Sequence, residues 1–222
     1  MKALISRTED SETLQDLGRA SIQIVHDLKN QLNGLKLYAT FLRRRIEKTE
    51  RPDDEQETIT KLIAGLDRAA SDLATIVEYG RQIELKKQPG FDVQKVLRTI
   101  CSSLDGPTAQ IVFESESDSV QGNFDHLKLT DAFKWISAAA IKNRRNNDHG
   151  EPAPVSVKVA AVDEKQTTIE WSGLRQIDHD PFRSFVGSEE IRLALAAKII
   201  EAHGGSARLT ENRFEVQLPL SG

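Results

Sequence analysis

The chain has 222 residues, of which 38% are hydrophobic and 29% charged, and its net charge is -4. That is enough apolar content for an ordinary globular core, and it leaves no overall basic field to hold nucleic acid or an anionic membrane. The apolar runs are far shorter than the roughly 20 residues needed to span a bilayer, and Met1 to Ser6 is too short for a signal-peptide core, so a cytoplasmic protein is expected.

From about Ser11 to Thr49 apolar residues recur at intervals of three and four: Val25, Leu28, Leu32, Leu35, Ala39, Leu42 and Ile46. This is the seam of a long amphipathic helix. Arg51-Pro52-Asp53-Asp54 supplies a breaker and acidic capping residues, after which Ile59, Ile63, Leu66, Ala70, Leu73 and Val77 repeat the pattern to about Ile83. The result is a helical hairpin whose arms run to about 45–55 Å at 1.5 Å per residue. Additional apolar residues beside the seam (Ile22, Ile24, Leu37, Phe41, Leu62, Ile76) make each stripe wider than a two-helix contact. The expected solution is a four-helix bundle built by two copies of the chain.

Gln88-Pro89-Gly90 reads as the end of the hairpin, dividing the chain into 1–88 and 89–222. Beyond it, Phe91 to Leu104 reads as a helix. It carries the single cysteine, Cys101, in the apolar spacing Val96, Leu97, Ile100, Leu104, which predicts a buried thiol with no disulfide partner. Gln110 to Glu114 reads as a strand and Asp125 to Asn143 as a helix. Val155 to Val162 and Gln166 to Trp171 alternate as a β-pair. Glu189 to His203 forms a helix stopped by Gly204-Gly205, and Ser206 to Leu209 pairs with Phe214 to Leu218 across Glu211-Asn212. Such an order predicts an α/β sandwich of one mainly antiparallel sheet and a helical layer. The fold class expected for the whole chain is therefore α + α/β.

His26-Asp27-Leu28-Lys29-Asn30 lies within the first helix and is the stretch richest in reactive groups. The neutral imidazole of His26 is a nucleophile near pH 7, Asp27 can accept its proton, Asn30 lies one turn on along the same face, and Lys29 is near enough to offset negative charge. His126, His149, His179 and His203 share no metal-site spacing. His203, ahead of a glycine cap, stands where a cation is favourable, and Trp135 and Trp171 read as core aromatics.

A helical hairpin bearing His26, Asp27 and Asn30, followed by such a sandwich, resembles the transmitter of a sensor histidine kinase. The resemblance covers nearly the whole chain, with Gln31 where the family has proline. Asp180-Pro181-Phe182-Arg183-Ser184-Phe185 resembles the family's phenylalanine-rich box, and Ile199 to Gly205 resembles the helix end after its last glycine box. Its nucleotide motifs are altered: Ala139 falls where the resemblance places a magnesium-binding asparagine, Trp171 where it places the adenine-binding aspartate, and Glu189-Glu190-Ile191-Arg192-Leu193 where it places phosphate-covering glycines. A methyl group cannot ligate a hard cation, and two carboxylates repel a polyanion.

The resemblance thus narrows to dimeric histidine phosphotransferases that look like degenerate kinases. It implies phosphoryl transfer between response-regulator receivers through His26, with Asp27, Lys29 and Asn30 in support. Expected partners are a second copy and receiver domains, a hybrid histidine kinase among their carriers. No cofactor is expected on this chain, Mg²⁺ coming with the partner receiver. Two other activities fit the same residues: an aspartyl-phosphate phosphatase using Asn30, and a non-catalytic pseudokinase scaffold. An ATP-dependent autokinase ranks below these.

Overall fold

The computed structural model describes residues 25, 28–44, 46, 53–106, 110–115, 119–147, 150–163, 165–185 and 187–220. The chain divides into two compact units, the first ending at Gln82 and the second beginning at Ile83. Among the described residues no helix is long and apolar enough to cross a membrane.

Among its described residues the first unit contains two helices, α1 (28–44) and α2 (Asp53–Gly80). The seam on α1 separates into two rows at heptad spacing. Leu32, Ala39 and Ile46 form one row, with Ala39 fully buried. Leu28, Leu35 and Leu42 form the other and remain 44%, 54% and 52% exposed. A 3.6-residue period places these rows side by side, so α2 covers one and leaves its neighbour open. Leu62 and Ile76 form a similar exposed row on α2, and Lys36 Nζ joins Asp67 Oδ1 across the hairpin at 2.5 Å.

The second unit opens with β1 (Gln88–Asp92), followed by α3 (Val93–Leu104), β2 (Ile111–Ser115), β3 (Gln121–Phe124) and α4 (His126–Lys142). After these come β4 (Val155–Asp163), β5 (Gln166–Ser172), a 3-10 turn (Pro181–Arg183), α5 (Ser188–Ala202), β6 (Ser206–Thr210) and β7 (Arg213–Pro219). The main sheet has the order β2-β4-β5-β7-β6. Only the β2–β4 pair is parallel. Period-two alternation turns Val155, Val157 and Val159 of β4, Ile169 and Trp171 of β5, and Phe214, Val216 and Leu218 of β7 into the core. Trp171 stands between Val157 and Phe214 in the ladder. α4 meets this face with Leu129, Phe133 and Ile136, and α5, apolar on almost every side, is buried along most of its length.

Gln88-Pro89-Gly90, read from sequence as a helix stop and turn, instead belongs to β1, and α2 ends earlier, at Gly80. β1 pairs with β3, for which the sequence carries no expectation, in a separate two-stranded sheet. Proline is tolerated on so short an edge, and Gly90, at φ +81°, lies where the register shifts between Gln88 and Phe91. Phe91 therefore belongs to a strand. The helix starts only after Asp92, whose carboxylate accepts the N–H groups of Gln94 and Lys95. Cys101 is buried as its spacing predicts, and burial pushes its thiol up to about 11.

His203 departs from expectation. Its ring is buried rather than a cation at a helix end: Nδ1–H donates to the Ile199 carbonyl at 2.8 Å, and Nε2 accepts the Asp125 N–H at 3.0 Å. Both bonds require the neutral ring, because an imidazolium would set one N–H against another. Burial, reinforced by the charges of Lys87 and Lys128, depresses its pKa. The Asp125 carboxylate caps α4 through the Lys128 N–H at 3.1 Å and accepts the Lys86 N–H at 2.8 Å. Burial opposes its ionisation, but these N–H bonds and the Lys128 charge outweigh that and hold its pKa below the usual value. Trp135 is half-buried, since it lies off the stripe that α4 turns to the sheet, whereas Trp171 is fully enclosed and donates from Nε1 to Ser137 Oγ at 2.9 Å.

Two stability measurements follow. Ser137→Ala leaves the indole N–H buried without an acceptor and should cost about 1–3 kcal/mol in urea unfolding. His203, neutral in the fold and titrating near 6.5 when unfolded, stabilises fully above that pH. Its contribution falls as pH drops from there toward its lower folded value, by at most about 1.4 kcal/mol per pH unit. The wild-type minus His203→Gln difference in unfolding free energy should therefore shrink over this interval. A difference that does not vary with pH would refute the buried neutral ring.

Candidate functional site

Two places carry polar chemistry. Of the four residues singled out on the first helix, His26 and Asp27 lie outside the described residues. Lys29, half-buried, and Asn30, exposed, are both on α1. Leu37 and Phe41 follow Asn30 by seven and eleven positions, intervals that return to the same helix face, and both are exposed, as is Tyr38. Asn30 is thus continued for three turns by an apolar strip distinct from the Leu28, Leu35, Leu42 row.

The other place is a cavity of about 540 Å³ in the second unit, among the C-terminal end of α4, the segment Arg175 to Pro181 and the start of α5. A helix N-terminus favours anions, but the first turn of α5 already holds Glu189 and Glu190. Glu189 receives Asn143 Nδ2 at 2.9 Å and Lys142 Nζ at 2.5 Å. Glu190 receives His179 Nε2 at 2.8 Å and the Ser184 hydroxyl. Arg175 donates to Asn143 Oδ1 at 3.1 Å. Each basic side chain named here is engaged by a group of the protein itself, and the positive end of the helix is occupied by its own carboxylates.

Ala139 is buried with only a methyl group to offer, and Trp171 is enclosed against Ser137 and Phe133 of α4. Four residues of sequence, from Ser184 to Gly187, separate the 3-10 turn from α5. Sequence reading identified Glu189, Glu190, Ala139 and Trp171 here but not Lys142, Asn143, Arg175 or His179. The Asn143–Glu189 bond joins residues 46 positions apart, beyond any local spacing rule. Among the described residues no group of three or more His, Cys, Asp or Glu side chains could hold a metal ion.

No protein-family model matches the sequence, and no curated protein matches it. Solved structures do. Full-length ShkA in complex with AMPPNP aligns at a TM-score of 0.70 and 19% identity, covering 89% of this chain and 44% of ShkA. The chain thus spans less than half the length of that structure. The histidine kinase ThkA, in complex with the response regulator protein TrrA, aligns at a TM-score of 0.64 and 18% identity over 94% of this chain and 63% of the other. The Acinetobacter baumannii histidine kinase AdeS aligns at a TM-score of 0.57 and 17% identity, over 86% and 96%. The chain has a histidine-kinase-like transmitter fold, with a mixed helix and sheet unit like the ATPase domains of those kinases.

Proposed function

We propose that the chain is a histidine phosphotransfer protein of a two-component phosphorelay, taking a phosphoryl group from one receiver aspartate and passing it to another. The observation that carries this reading is the cavity at α5, where carboxylates stand in the place most favourable to phosphate. A unit so arranged is poorly suited to supply its own phosphoryl group, whereas a carrier needs none. ThkA, one of the structural neighbours, is described in complex with a response regulator, which supports receivers as the partner class.

In the transfer, His26 attacks the phosphorus of the receiver's aspartyl phosphate. The N–P bond forms as the P–O bond to the aspartate breaks, and the carboxylate leaves. Asp27 accepts the proton released from the other ring nitrogen, Lys29 offsets charge on the phosphoryl oxygens, and Asn30 orients one of them. The partner supplies Mg²⁺. Leu37, Tyr38 and Phe41 offer an apolar docking strip on the Asn30 face. A second copy covers the Leu28, Leu35, Leu42 row and its counterpart at Leu62 and Ile76, completing a four-helix bundle.

Incubation with a radiolabelled phospho-receiver should move label to the chain, His26→Ala should abolish it, and Asp27→Asn should slow it about 10²-fold. Label arriving from ATP alone would overturn the carrier reading, and receiver dephosphorylation that survives His26→Ala but not Asn30→Ala would assign a phosphatase. In sedimentation analysis the wild type should be a dimer and Leu35→Asp/Leu42→Asp a folded monomer; an unchanged mass would exclude the open row as the interface.

A further inference from the structure

His203 stands at the end of α5 and is 2% exposed. Its ring joins two places at once: Nδ1–H donates to the Ile199 carbonyl at 2.8 Å, and Nε2 accepts the Asp125 N–H at 3.0 Å. Asp125 in turn uses both carboxylate oxygens. Oδ1 accepts the Lys128 N–H of α4 at 3.1 Å, and Oδ2 accepts the Lys86 N–H at 2.8 Å. Residues 82–87 run between α2 and β1 and lie in no helix or strand. Three segments far apart in sequence, at residues 86, 125 and 203, thus meet through one imidazole and one carboxylate.

This chain of bonds accepts one form of the ring. A proton added at Nε2 turns that nitrogen from acceptor into donor and sets it against the Asp125 N–H. A buried imidazolium needs an acceptor, and the Asp125 carboxylate is an anion whose charge already acts on the ring. Lys87, from the segment before β1, and Lys128, from α4, act on it too and resist the proton. β3 adds the uncharged ring of Phe124 at 5.7 Å between centroids, and Glu84 and Lys86 of the entering segment are exposed. Burial, with the two lysines, holds the His203 pKa below 6.5. Burial acts against ionisation of Asp125, but its N–H bonds prevail and keep it below 3.8, so it remains an anion where a histidine titrates.

We propose that His203 and Asp125 form an acid switch on the segment entering the second unit: a proton taken from solvent at Nε2 draws the Asp125 carboxylate from the Lys86 N–H to the imidazolium and frees residues 82–87. The Lys86 bond is the one that yields. The Lys128 N–H belongs to the same helical turn as Asp125, whereas Lys86 lies 39 positions away on an exposed stretch outside any helix or strand. Loss of the proton restores both bonds, so the switch is reversible. It does not rest on phosphotransfer.

The test is a pH titration of the isotope-labelled full chain by NMR, following the His203 ring, the Lys86 and Asp125 amides and, as a control on folding, the amides of β5. The Lys86 and Asp125 signals should shift with the same midpoint as the ring, on the acid side of 6.5, while those of β5 stay in place. In His203→Gln both shifts should be lost over that range. Lys87→Glu, at an exposed position, replaces an opposing charge with a favourable one and should move the common midpoint to higher pH. A Lys86 midpoint different from the ring's, a Lys86 shift that survives in His203→Gln, or a midpoint unmoved in Lys87→Glu would overturn the proposal. Loss of the β5 signals together with that of Lys86 would overturn it as well, by making the event global unfolding.

Discussion

Glu189 and Glu190 occupy the positive end of α5, and the chemistry of the second unit follows from that placement. A helix N-terminus left open binds anions through its unpaired N–H groups and its dipole. Here the first turn carries its own negative charge, and Lys142, Asn143, His179 and Ser184 converge on the same two side chains. The result is a closed circuit of charge: a phosphate entering it must displace carboxylates from their partners and then bear the repulsion of those it leaves behind. The cavity is open as a shape, but its electrostatics oppose an anion.

The rest of the unit is held by internal contacts. Trp171 is packed between β-neighbours and α4, with its one polar atom satisfied by Ser137. His203 ties the end of α5 to the start of α4, and Asp125 ties that start to residue 86. These bonds connect elements distant in sequence through groups that are all internal, and they hold the sandwich together.

Much of the architecture was legible because it rests on periodicity. The alternation of Val155, Val157, Val159 and of Ile169, Trp171 announced β4 and β5, and Gly204-Gly205 announced the end of α5; a Cβ on Gly205 would meet the Gln217 carbonyl at 2.2 Å. The β1–β3 sheet escaped because Gln88-Pro89-Gly90-Phe91-Asp92 has turn composition and no alternation, and only a distant partner, residues 121–124, makes it a strand. The role of His203 was hidden similarly: its position predicts a favourable cation at a helix end, but the Asp125 N–H that fixes its neutral tautomer comes from 78 residues away. At the candidate site, Ala139, Trp171 and the Glu189–Glu190 pair were readable one residue at a time. The pairing that joins Glu189 to Asn143 and Lys142 was not, because ion pairs across a cleft leave no period in the chain.

The heptad pattern on α1 was readable in extent but not in its division. Seven seam residues look equivalent in sequence, yet a single neighbouring helix can cover only one side of a stripe that wide. Ala39 is fully buried while Leu35 and Leu42, one helical turn to either side, remain about half exposed. The split is a consequence of geometry: two cylinders touch along a line, and residues three or four apart fall on opposite sides of it. Leu37 and Phe41 stand farther round, on the face of Asn30, so α1 carries three apolar strips in different directions. An exposed leucine costs little singly, but here the exposure is repeated at heptad spacing along the helix, on a row that α2 leaves uncovered and on the separate Asn30 strip.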